Sequence, residues 1–304
     1  MTASLELVTQ IQDLKQKRKA ILLSHYYQRP EIQDLADFVG DSLELSRQAA
    51  ETDAEVIVFC GVHFMAESAA ILSPDKLVIL PDADAGCPMA DMVNATSLKE
   101  EKARLGNPVV VSYVNTSAEV KAESDICCTS ANVIRVIGSL PRDREILFVP
   151  DQNLGRFAER KTGRKMHLWP GFCCIHDQLT VDDVLKAKES HLGALLLVHP
   201  ECRSDVIDQA DYVASTSGML RYACSSPAKE FIVATEEGLL HQLSRQCPGK
   251  AFHTASSGLV CGNMKLTTLE KLVQALETLE PRVSVAPYIR ERALLALERM
   301  LALA

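Results

Sequence analysis

Short apolar runs alternate with amphipathic stretches along the whole chain, and this alternation predicts strands that are followed by helices. The first cycle reads as a strand from Ile21 to Ser24, a short helix near Glu31 to Ala36 and a second strand around Phe38. A helix then opens at Ser42, and another from about His63 separates two further strands. Strands that alternate with helices in this way are typical of parallel β-α-β layers.

The same cycle occurs three times. The copies are AILLSHYYQRPEIQDLADFVGDSLE from Ala20, PVVVSYVNTSAEVKAESDICCTSAN from Pro108 and ALLLVHPECRSDVIDQADYVASTSG from Ala194. In each copy an aspartate follows the apolar run by fourteen residues, and a second apolar run and a small hydroxyl residue come after it. These aspartates are Asp37, Asp125 and Asp211, which lie 88 and then 86 residues apart. The chain is therefore an internal triplication.

The triplication predicts an α/β fold of three pseudo-symmetric α/β/α units, each with a small parallel sheet of four strands, around a central site. We expect unit 1 at 1–92, unit 2 at 93–178 and unit 3 at 179–264. The C-terminal helices in 265–304 should fold back onto unit 1. The unit 2 strands are expected at Val109–Val111, Asp125–Cys128, Ile146–Val149 and Lys165–Leu168, and those of unit 3 at Ala194–Val198, Asp211–Ala214, Phe231–Ala234 and Ala251–His253. Whether the units form a ring or a solenoid stack stays open at this point.

Three helices are predicted to begin at equivalent places, where a hydroxyl residue precedes an acidic residue by three positions. These pairs are Ser97 with Glu100, Thr180 with Asp183 and Thr267 with Glu270. Each pair resembles a capping box, in which the hydroxyl and the acid each satisfy a free backbone amide.

Polar residues recur at three matched positions after the first strand of each unit. Superposing the copies aligns His25 with Tyr113 and His199, Tyr27 with Asn115 and Glu201, and Ser42 with Ser130 and Thr216. Loops after the carboxyl ends of parallel strands are where such sheets bind ligands, so these residues should converge on one pocket if the units form a ring. The first two sets provide acids, bases and hydrogen-bond donors for proton transfer. The hydroxyls at predicted helix starts suit an anion, although they could also be plain helix caps.

Composition excludes several classes of protein. The formal charge of −8 and the lack of a long Lys/Arg run argue against nucleic acid as a partner. No apolar run approaches the roughly 18 residues of a membrane span, and the N-terminus does not resemble a signal peptide. We therefore expect a cytoplasmic protein without a membrane partner. Ten cysteines in such a chain indicate thiols or metal ligands, because the cytosol keeps disulfides reduced.

One cysteine position repeats with the units. Cys87, Cys173 or its neighbour Cys174, and Cys261 each follow the last strand region of a unit. Three thiolates from equivalent loops suit an iron–sulfur cluster, zinc or Cu(I), whereas coincidental placement is the simpler alternative. Equal spacing of 87 residues favours Cys174 over Cys173. The remaining cysteines are expected to be small buried apolar side chains, and they are Cys60, Cys127, Cys128, Cys202, Cys224 and Cys247.

Specific motifs spread over nearly the whole chain resemble those of the quinolinate synthase family, the A protein of bacterial NAD biosynthesis. They are SHYYQRPEIQDLADFVGDSLELSRQA from Ser24, GCPMAD from Gly86, SYVNTSAEVKAESDICCTSAN from Ser112, PDQNLG from Pro150, GFCCIH from Gly171, VHPEC from Val198, ADYVASTSGM from Ala210, ATEEG from Ala234 and VCGNMKLTTLE from Val260. The resemblance implies three α/β domains around one [4Fe–4S] cluster that three cysteines hold.

Carried over residue by residue, the resemblance implies a ligand set and a pocket. The ligands would be Cys87, Cys173 and Cys261, because the family ligand stands three residues before a histidine, here His176. The pocket would contain His25, Tyr27, Ser42, Tyr113, Asn115, Ser130, His176, His199, Glu201, Ser215 and Thr216. Because neighbouring residues that leave a strand point to opposite sides, we expect Cys173 to face the cluster and Cys174 the packed protein.

The family reaction condenses iminoaspartate, which aspartate oxidase delivers, with dihydroxyacetone phosphate to give quinolinate, phosphate and two waters. We expect Glu201 to move protons beside His199, and Tyr27 to donate to a developing alkoxide, with Tyr113 as a fourth catalytic side chain. Transient contacts with aspartate oxidase and with the Fe–S assembly machinery are expected. Two other classes stay open on the residues alone: a zinc-dependent lyase or aldolase acting on a phosphorylated small molecule, and a non-catalytic Fe–S sensor.

Overall fold

The structure is a computed structural model that describes residues 2–303. Its strands form three separate four-stranded sheets, and every strand pair in them is parallel. The predicted α/β class and the predicted four strands per unit are confirmed.

The elements follow one another in the predicted order. Unit 1 contains α1 (Thr2–Arg18), β1 (Ala20–His25), α2 (Pro30–Leu35), β2 (Phe38–Gly40), α3 (Ser42–Glu51), β3 (Val56–Cys60), α4 (His63–Leu72), β4 (Leu77–Ile79) and a 3₁₀ turn at Ala90–Met92. Unit 2 contains α5 (Ala95–Arg104), β5 (Val109–Tyr113), α6 (Ala118–Ala122), β6 (Ile126–Cys128), α7 (Val133–Ser139), β7 (Ile146–Val149), α8 (Gln152–Thr162), β8 (His167–Leu168) and α9 (Cys174–Asp177).

Unit 3 repeats the cycle, and two more helices complete the chain. It contains α10 (Val181–Ser190), β9 (Leu195–Val198), α11 (Ser204–Ile207), β10 (Tyr212–Val213), α12 (Thr216–Ser225), β11 (Glu230–Ala234), α13 (Leu239–Gln246), β12 (Ala251–Thr254) and a 3₁₀ turn at Met264–Leu266, after which come α14 (Leu269–Thr278) and α15 (Pro287–Ala302). The strand orders are β2-β1-β3-β4, β6-β5-β7-β8 and β10-β9-β11-β12. The second strand therefore lies at the edge of each sheet and the first lies inside it.

The aspartate that marks the triplication has the same structural role in each unit. Its carboxylate accepts a hydrogen bond from a backbone amide of the first strand, and its own amide donates to the carbonyl of that same residue. The pairs are Asp37 with Leu22, Asp125 with Val110 and Asp211 with Leu196, at carboxylate distances of 2.8, 2.8 and 2.7 Å. Each aspartate thus aligns the start of the edge strand with the first strand, which explains its fixed distance from the apolar run.

The two C-terminal helices cover different parts of the molecule. Helix α14 packs against α1 and contributes Leu272 and Leu276 to an apolar cluster with Ile11 and Leu22 on the unit 1 sheet. Helix α15 packs against α6 and β6 of unit 2 and against α4 of unit 1. The segment after unit 3 therefore contacts both preceding units, while the exact unit boundaries stay a prediction.

Only one of the three predicted capping boxes has the predicted residues. Thr180 caps α10 together with Asp183, as expected. Helix α5 instead begins after Asn94, which caps it and places Ser97 inside the first turn. Helix α14 is capped by Thr268 and not by Thr267. In both wrong cases a second side chain able to accept a hydrogen bond lies nearby, so the local pattern did not select one start.

Two cysteines that were expected to be free form a disulfide. Cys224 lies in the last turn of α12 and Cys247 ends α13, and their Cα atoms are 5.0 Å apart. Because α12 and α13 contact one another, these helix ends meet although 23 residues separate them. The expectation of a buried free thiol was therefore wrong at these two positions. Cys60, Cys127, Cys128 and Cys202 are free and buried, as expected.

None of the helices between residues 2 and 303 has the combined length and apolar character that a membrane crossing needs.

Candidate active site

One cavity collects the repeated polar loops of all three units. Every predicted site residue except Ser215 lines it, so the loops converge on a single place and do not spread along a solenoid face. The cavity, with its mouth, leaves about 780 Å³ free of protein atoms.

The ends of the first strands supply the centre of the cavity wall. His25 is the last residue of β1, Tyr113 is the last residue of β5, and His199 directly follows β9. In two units the histidine and the residue two positions later adopt the same turn. The backbone amide of Tyr27 lies 3.1 Å from Nδ1 of His25, and that of Glu201 lies 3.4 Å from Nδ1 of His199. The turn directs Tyr27 and Glu201 into the same cavity.

Glu201 is the central buried carboxylate. Its Oε2 lies 3.0 Å from Nδ1 of His176 and 3.2 Å from Nδ1 of His199, and the two imidazole rings stack with centroids 4.6 Å apart. Burial opposes ionisation of Glu201, but His176 and then His199 outweigh it and lower the pKa of the carboxyl group. Oε1 is buried and has no hydrogen-bond partner within residues 2–303. The site therefore holds a carboxylate with one oxygen left for a ligand.

Two phenols accompany this carboxylate. Tyr27 Oη lies 2.5 Å from Oγ1 of Thr235, and burial together with the charge of Glu201 raises the pKa of Tyr27 well above its usual value. Burial and Glu201 likewise raise the pKa of Tyr113, while a hydrogen bond with Ser130 acts in the opposite direction. Both phenols are thus protonated at neutral pH and can donate hydrogen bonds.

His25 is buried as a neutral imidazole. Loss of hydration, against the attraction of Glu201, lowers the pKa of His25 to about 3. Its Nδ1 accepts the Tyr27 amide, so protonation of that nitrogen would break the turn that positions Tyr27. His25 therefore serves as a fixed hydrogen-bonding group at neutral pH.

The three predicted helix-start hydroxyls do not have equivalent surroundings. Ser42 and Thr216 are the first residues of α3 and α12, whose caps are Asp41 and Ser215. Ser130 precedes α7 by three residues, so the expectation of a third helix start there was wrong. Ser215 accepts the Gly218 amide and is buried behind the wall, which explains its absence from the cavity lining.

The three family cysteines line the cavity, and backbone amides of the residues after each one act on its sulfur. Amides of Met89 and Ala90 act to lower the pKa of Cys87, that of His176 acts to lower the pKa of Cys173, and those of Asn263 and Met264 act to lower the pKa of Cys261. Burial raises the pKa of all three thiols, and that of Cys87 reaches about 12. Amide donors favour a charged sulfur, whereas burial disfavours it unless a cation binds. This donor set therefore fits a thiolate-ligated metal group.

Cys173 and Cys174 differ in their surroundings. Cys173 caps the short helix α9, is half-buried and lies 3.2 Å from Nδ1 of His176. Cys174 is exposed and also lines the cavity, so the expectation that it faces packed protein was wrong. The two residues begin a helical turn and do not leave a strand, so the alternation rule of strands does not apply to them.

Three groups at the site were missed as site residues at the sequence level. Thr235 contacts both Tyr27 and His176. Glu236 is fully buried, and its carboxylate accepts the amides of Cys261 and Gly238 at 3.1 and 2.8 Å. Lys265 donates to Glu236 at 2.9 Å and to the Tyr27 carbonyl at 2.7 Å.

The missed groups link a cysteine loop to the turn that holds Tyr27. The run ATEEG, directly after an apolar strand, was the available signal for Thr235 and Glu236, because it places them at the carboxyl end of a parallel strand. Asp41 also lines the cavity and accepts from Ser217 at 2.5 Å, which joins the first turns of α3 and α12.

Comparison with known proteins gives one consistent result. The family model described as quinolinate synthetase A protein matches residues 9–302. A quinolinate synthase of Desulforudis audaxviator is 65% identical over 303 residues, which cover all of both chains. A quinolinate synthase of Methanoregula boonei is 59% identical over 290 residues, 95% of this chain and 96% of that protein. A quinolinate synthase of Methanosarcina barkeri is 54% identical over 297 residues, 98% of this chain and 97% of that protein.

Proposed function

The chain belongs to the quinolinate synthase family and is an enzyme of that activity, and from this we propose how its cavity performs the reaction. We infer that iminoaspartate and dihydroxyacetone phosphate condense there to quinolinate, with release of phosphate and two waters. Full-length similarity to three quinolinate synthases supports the substrates. Family membership likewise supports transient contacts with aspartate oxidase, as the source of the imine, and with Fe–S assembly proteins.

The main support for the mechanism is that only one oxygen of the Glu201 carboxylate has polar partners within residues 2–303. His176 and His199 hold one oxygen and keep the group ionised, while the other oxygen is buried without a partner. A carboxylate in that state is a general base for the C–H and N–H protons that the condensation and the two dehydrations must remove. His199 orients Glu201, because its Nδ1 lies 3.4 Å from the Glu201 amide and 3.2 Å from Oε2.

The phenols supply protons to departing oxygens. Tyr113 is buried and Tyr27 is half-buried in the same cavity, and both remain protonated at neutral pH. Each dehydration needs a proton for the leaving hydroxyl, and Tyr27 is the proposed donor, with Tyr113 as a second donor toward a developing alkoxide. Asn115 adds a buried amide oxygen that has no hydrogen-bond partner among the described residues 2–303, so it can accept from a substrate hydroxyl or imine N–H.

Substrate anions are proposed to bind at the hydroxyl side of the cavity. Ser42 and Thr216 are the first residues of two ten-residue helices, whose dipoles favour negative charge, although Asp41 and Ser215 already accept the amides of Leu43, Glu44 and Gly218. Ser130 and His25 add donors around them, and His176 lines the same cavity. The carboxylate of Asp41 lies among these groups and favours the neutral or hydroxyl-rich part of a substrate beside it.

Cys87, Cys173 and Cys261 would hold a [4Fe–4S] cluster, whose fourth iron has no protein ligand and would supply a Lewis acid for a substrate oxygen. Backbone amides after each cysteine act to lower the pKa of its thiol, and this effect supports the assignment. Glu236 and Lys265 fix the Cys261 amide relative to Tyr27, so the ligand loop and the proton donor keep one relative position.

Anaerobic purification tests the proposal. The protein should be brown, should contain about four irons and four sulfides per chain, should form quinolinate from the two substrates and should lose activity in air. A protein with stoichiometric zinc that keeps full activity in air would contradict the cluster assignment.

Zinc deserves the explicit control because Cys173, His176 and Glu201 place one ligand atom each within 4.8 Å of one another. Zinc without acid-labile sulfide would fit either these three residues or the three cysteines, and would contradict the cluster in both cases. Iron with sulfide in equal amounts would exclude that arrangement, since a cluster on Cys173 uses the same thiol.

A further inference from the structure

Thr235 stands behind the wall of the cavity, where it contacts two proposed site residues at once. It directly follows β11 and is fully buried. Its hydroxyl oxygen lies 2.5 Å from Tyr27 Oη and 2.8 Å from Nε2 of His176. Tyr27 comes from unit 1, His176 from unit 2 and Thr235 from unit 3, so one hydroxyl joins all three units.

A hydroxyl carries a single proton, so Thr235 cannot donate to both neighbours. Nδ1 of His176 faces two acceptors, the Cys173 sulfur at 3.2 Å and the Glu201 carboxylate at 3.0 Å. A neutral imidazole with its proton on Nδ1 offers Nε2 as an acceptor. Thr235 therefore donates to His176 and accepts from the O–H of Tyr27.

This assignment matters when Tyr27 gives its proton to a substrate oxygen. The Tyr27 oxygen then becomes an acceptor in a buried setting, where an unsatisfied developing charge is costly. The Thr235 hydroxyl needs only a rotation about its C–O bond to donate to that oxygen. A hydrogen bond from Thr235 acts to lower the pKa of Tyr27, against burial and Glu201, which raise it.

We propose that Thr235 is a positioning residue for the reaction, which holds Tyr27 and His176 in the free enzyme and stabilises the Tyr27 oxygen as it loses its proton. The inference rests on the proposed role of Tyr27 as proton donor. Thr235 does not line the cavity, and we expect it to affect turnover through the Tyr27 phenol.

Three substitutions separate this role from packing. Thr235→Ser keeps the hydroxyl and removes the methyl group, Thr235→Val keeps the shape and removes the hydroxyl, and Thr235→Ala removes both. Loss of one hydrogen bond to a developing charge should lower kcat by about 10- to 100-fold in the Val and Ala variants. The Ser variant should keep kcat within about threefold, and KM and cluster content should stay close to wild type in all three.

The anaerobic holoenzymes are compared by kcat, KM, iron and sulfide content, and pH–rate profile. A packing role predicts the opposite order, with Val active and Ser impaired, and that order would overturn the inference. Wild-type kcat in the Val variant would also overturn it. Should Val lose the cluster, the comparison of Ser with Ala decides: equal rates refute the role and a tenfold advantage for Ser supports it.

The proposed function has its own control in the same experiment, because wild-type enzyme must form quinolinate. Crystal structures of the holoenzymes add a readout that does not depend on turnover. In the Val variant the Tyr27 and His176 side chains should move apart from their shared contact, whereas unchanged positions of both would count against Thr235 as the residue that holds them.

Discussion

At the residue scale, the proposed cluster site depends on which of two adjacent thiols is its ligand. Cys173 is half-buried and its sulfur lies 3.2 Å from Nδ1 of His176, whereas Cys174 is exposed. Equal spacing favoured Cys174, but the spacing of the repeated aspartates drifts by two residues, so an equal period carries little weight. The local surroundings support the family motif.

Cys173→Ala should therefore abolish activity and lose or severely destabilise the cluster, while Cys174→Ala should retain most of both. Iron and sulfide counts, the visible spectrum and turnover of the two anaerobic proteins check this. If the variants behave the other way round, the ligand assignment is wrong.

Glu201→Gln should keep the cluster and bind quinolinate but turn over at least about 100-fold more slowly, the usual scale for a general acid or base. The amide preserves shape and cannot take up a proton. Glu237→Gln, which changes an exposed carboxylate in the ATEEG run, is the matched control and should behave like wild type. Near-normal turnover of the Glu201 variant would mean that Glu201 has only a structural role.

His25 predicts a pH dependence of stability. Its pKa in the folded protein is about 3, below the ordinary value of 6.5, so the unfolded chain binds the additional proton between these values. This contribution to stability is complete above about pH 6.5 and decreases as pH falls toward 3, by about 1.4 kcal/mol per pH unit.

His25→Asn replaces Nδ1 with an amide oxygen that can still accept the Tyr27 amide. Thermal midpoints of the anaerobic wild type and variant should be compared from pH 7.5 to pH 5. The wild type should lose stability faster than the variant as pH falls. Parallel curves would show that His25 does not titrate in the predicted way.

At the element scale, the loops that carry the cysteines are positioned by close backbone contacts. Gly171 leads into Cys173, and a Cβ atom there would lie 2.5 Å from the carbonyl oxygen of Pro150 and 3.3 Å from Cβ of Met92. The Pro150 oxygen is backbone and cannot move aside as the end of a flexible side chain can. Glycine is therefore required at position 171, because the Pro150 backbone comes too close there for a Cβ atom.

Gly171→Ala should displace the Cys173 loop, lower the free energy of unfolding by about 1–3 kcal/mol and reduce cluster content. Gly262→Ala is the control, because Gly262 follows Cys261 and a Cβ atom there meets nothing within 4 Å. Iron content and thermal midpoints of both variants test the difference. Equal cluster content in the two would contradict the steric argument.

At the scale of the whole molecule, the three proposed cluster ligands come from three different units. Cys87, Cys173 and Cys261 belong to three different sheets and their following loops. A group that binds all three links the units in the folded state, and binding to the native state alone raises stability.

Removal of the cluster by an anaerobic chelator should therefore lower the thermal midpoint of the whole protein and broaden its transition. Calorimetry of the holoprotein, the cluster-free protein and the reconstituted protein measures this. Reconstitution should restore the midpoint, and a midpoint that is unchanged on cluster removal would mean that packing alone holds the units together.

The sequence by itself determined the repeat and most of its local structure. Apolar runs gave twelve strands close to their observed positions, because a buried parallel strand requires a continuous apolar segment. The repeated aspartate could be recognised in the sequence because in each unit its carboxylate accepts the same kind of backbone hydrogen bond from the first strand. The motifs identified the family, and the comparisons confirmed it.

Only the tertiary structure decided contacts between distant segments. That the loops meet at one cavity, that Thr235 lies between Tyr27 and His176, and that Cys224 pairs with Cys247 all depend on how the units and their helices pack. Helix starts at α5 and α14 were also misplaced, since neighbouring residues could cap them equally well. The hydrophobic periodicity of a segment indicates which of its side chains are buried. A functional site depends instead on which segments contact one another, and those contacts are fixed by packing across the whole chain.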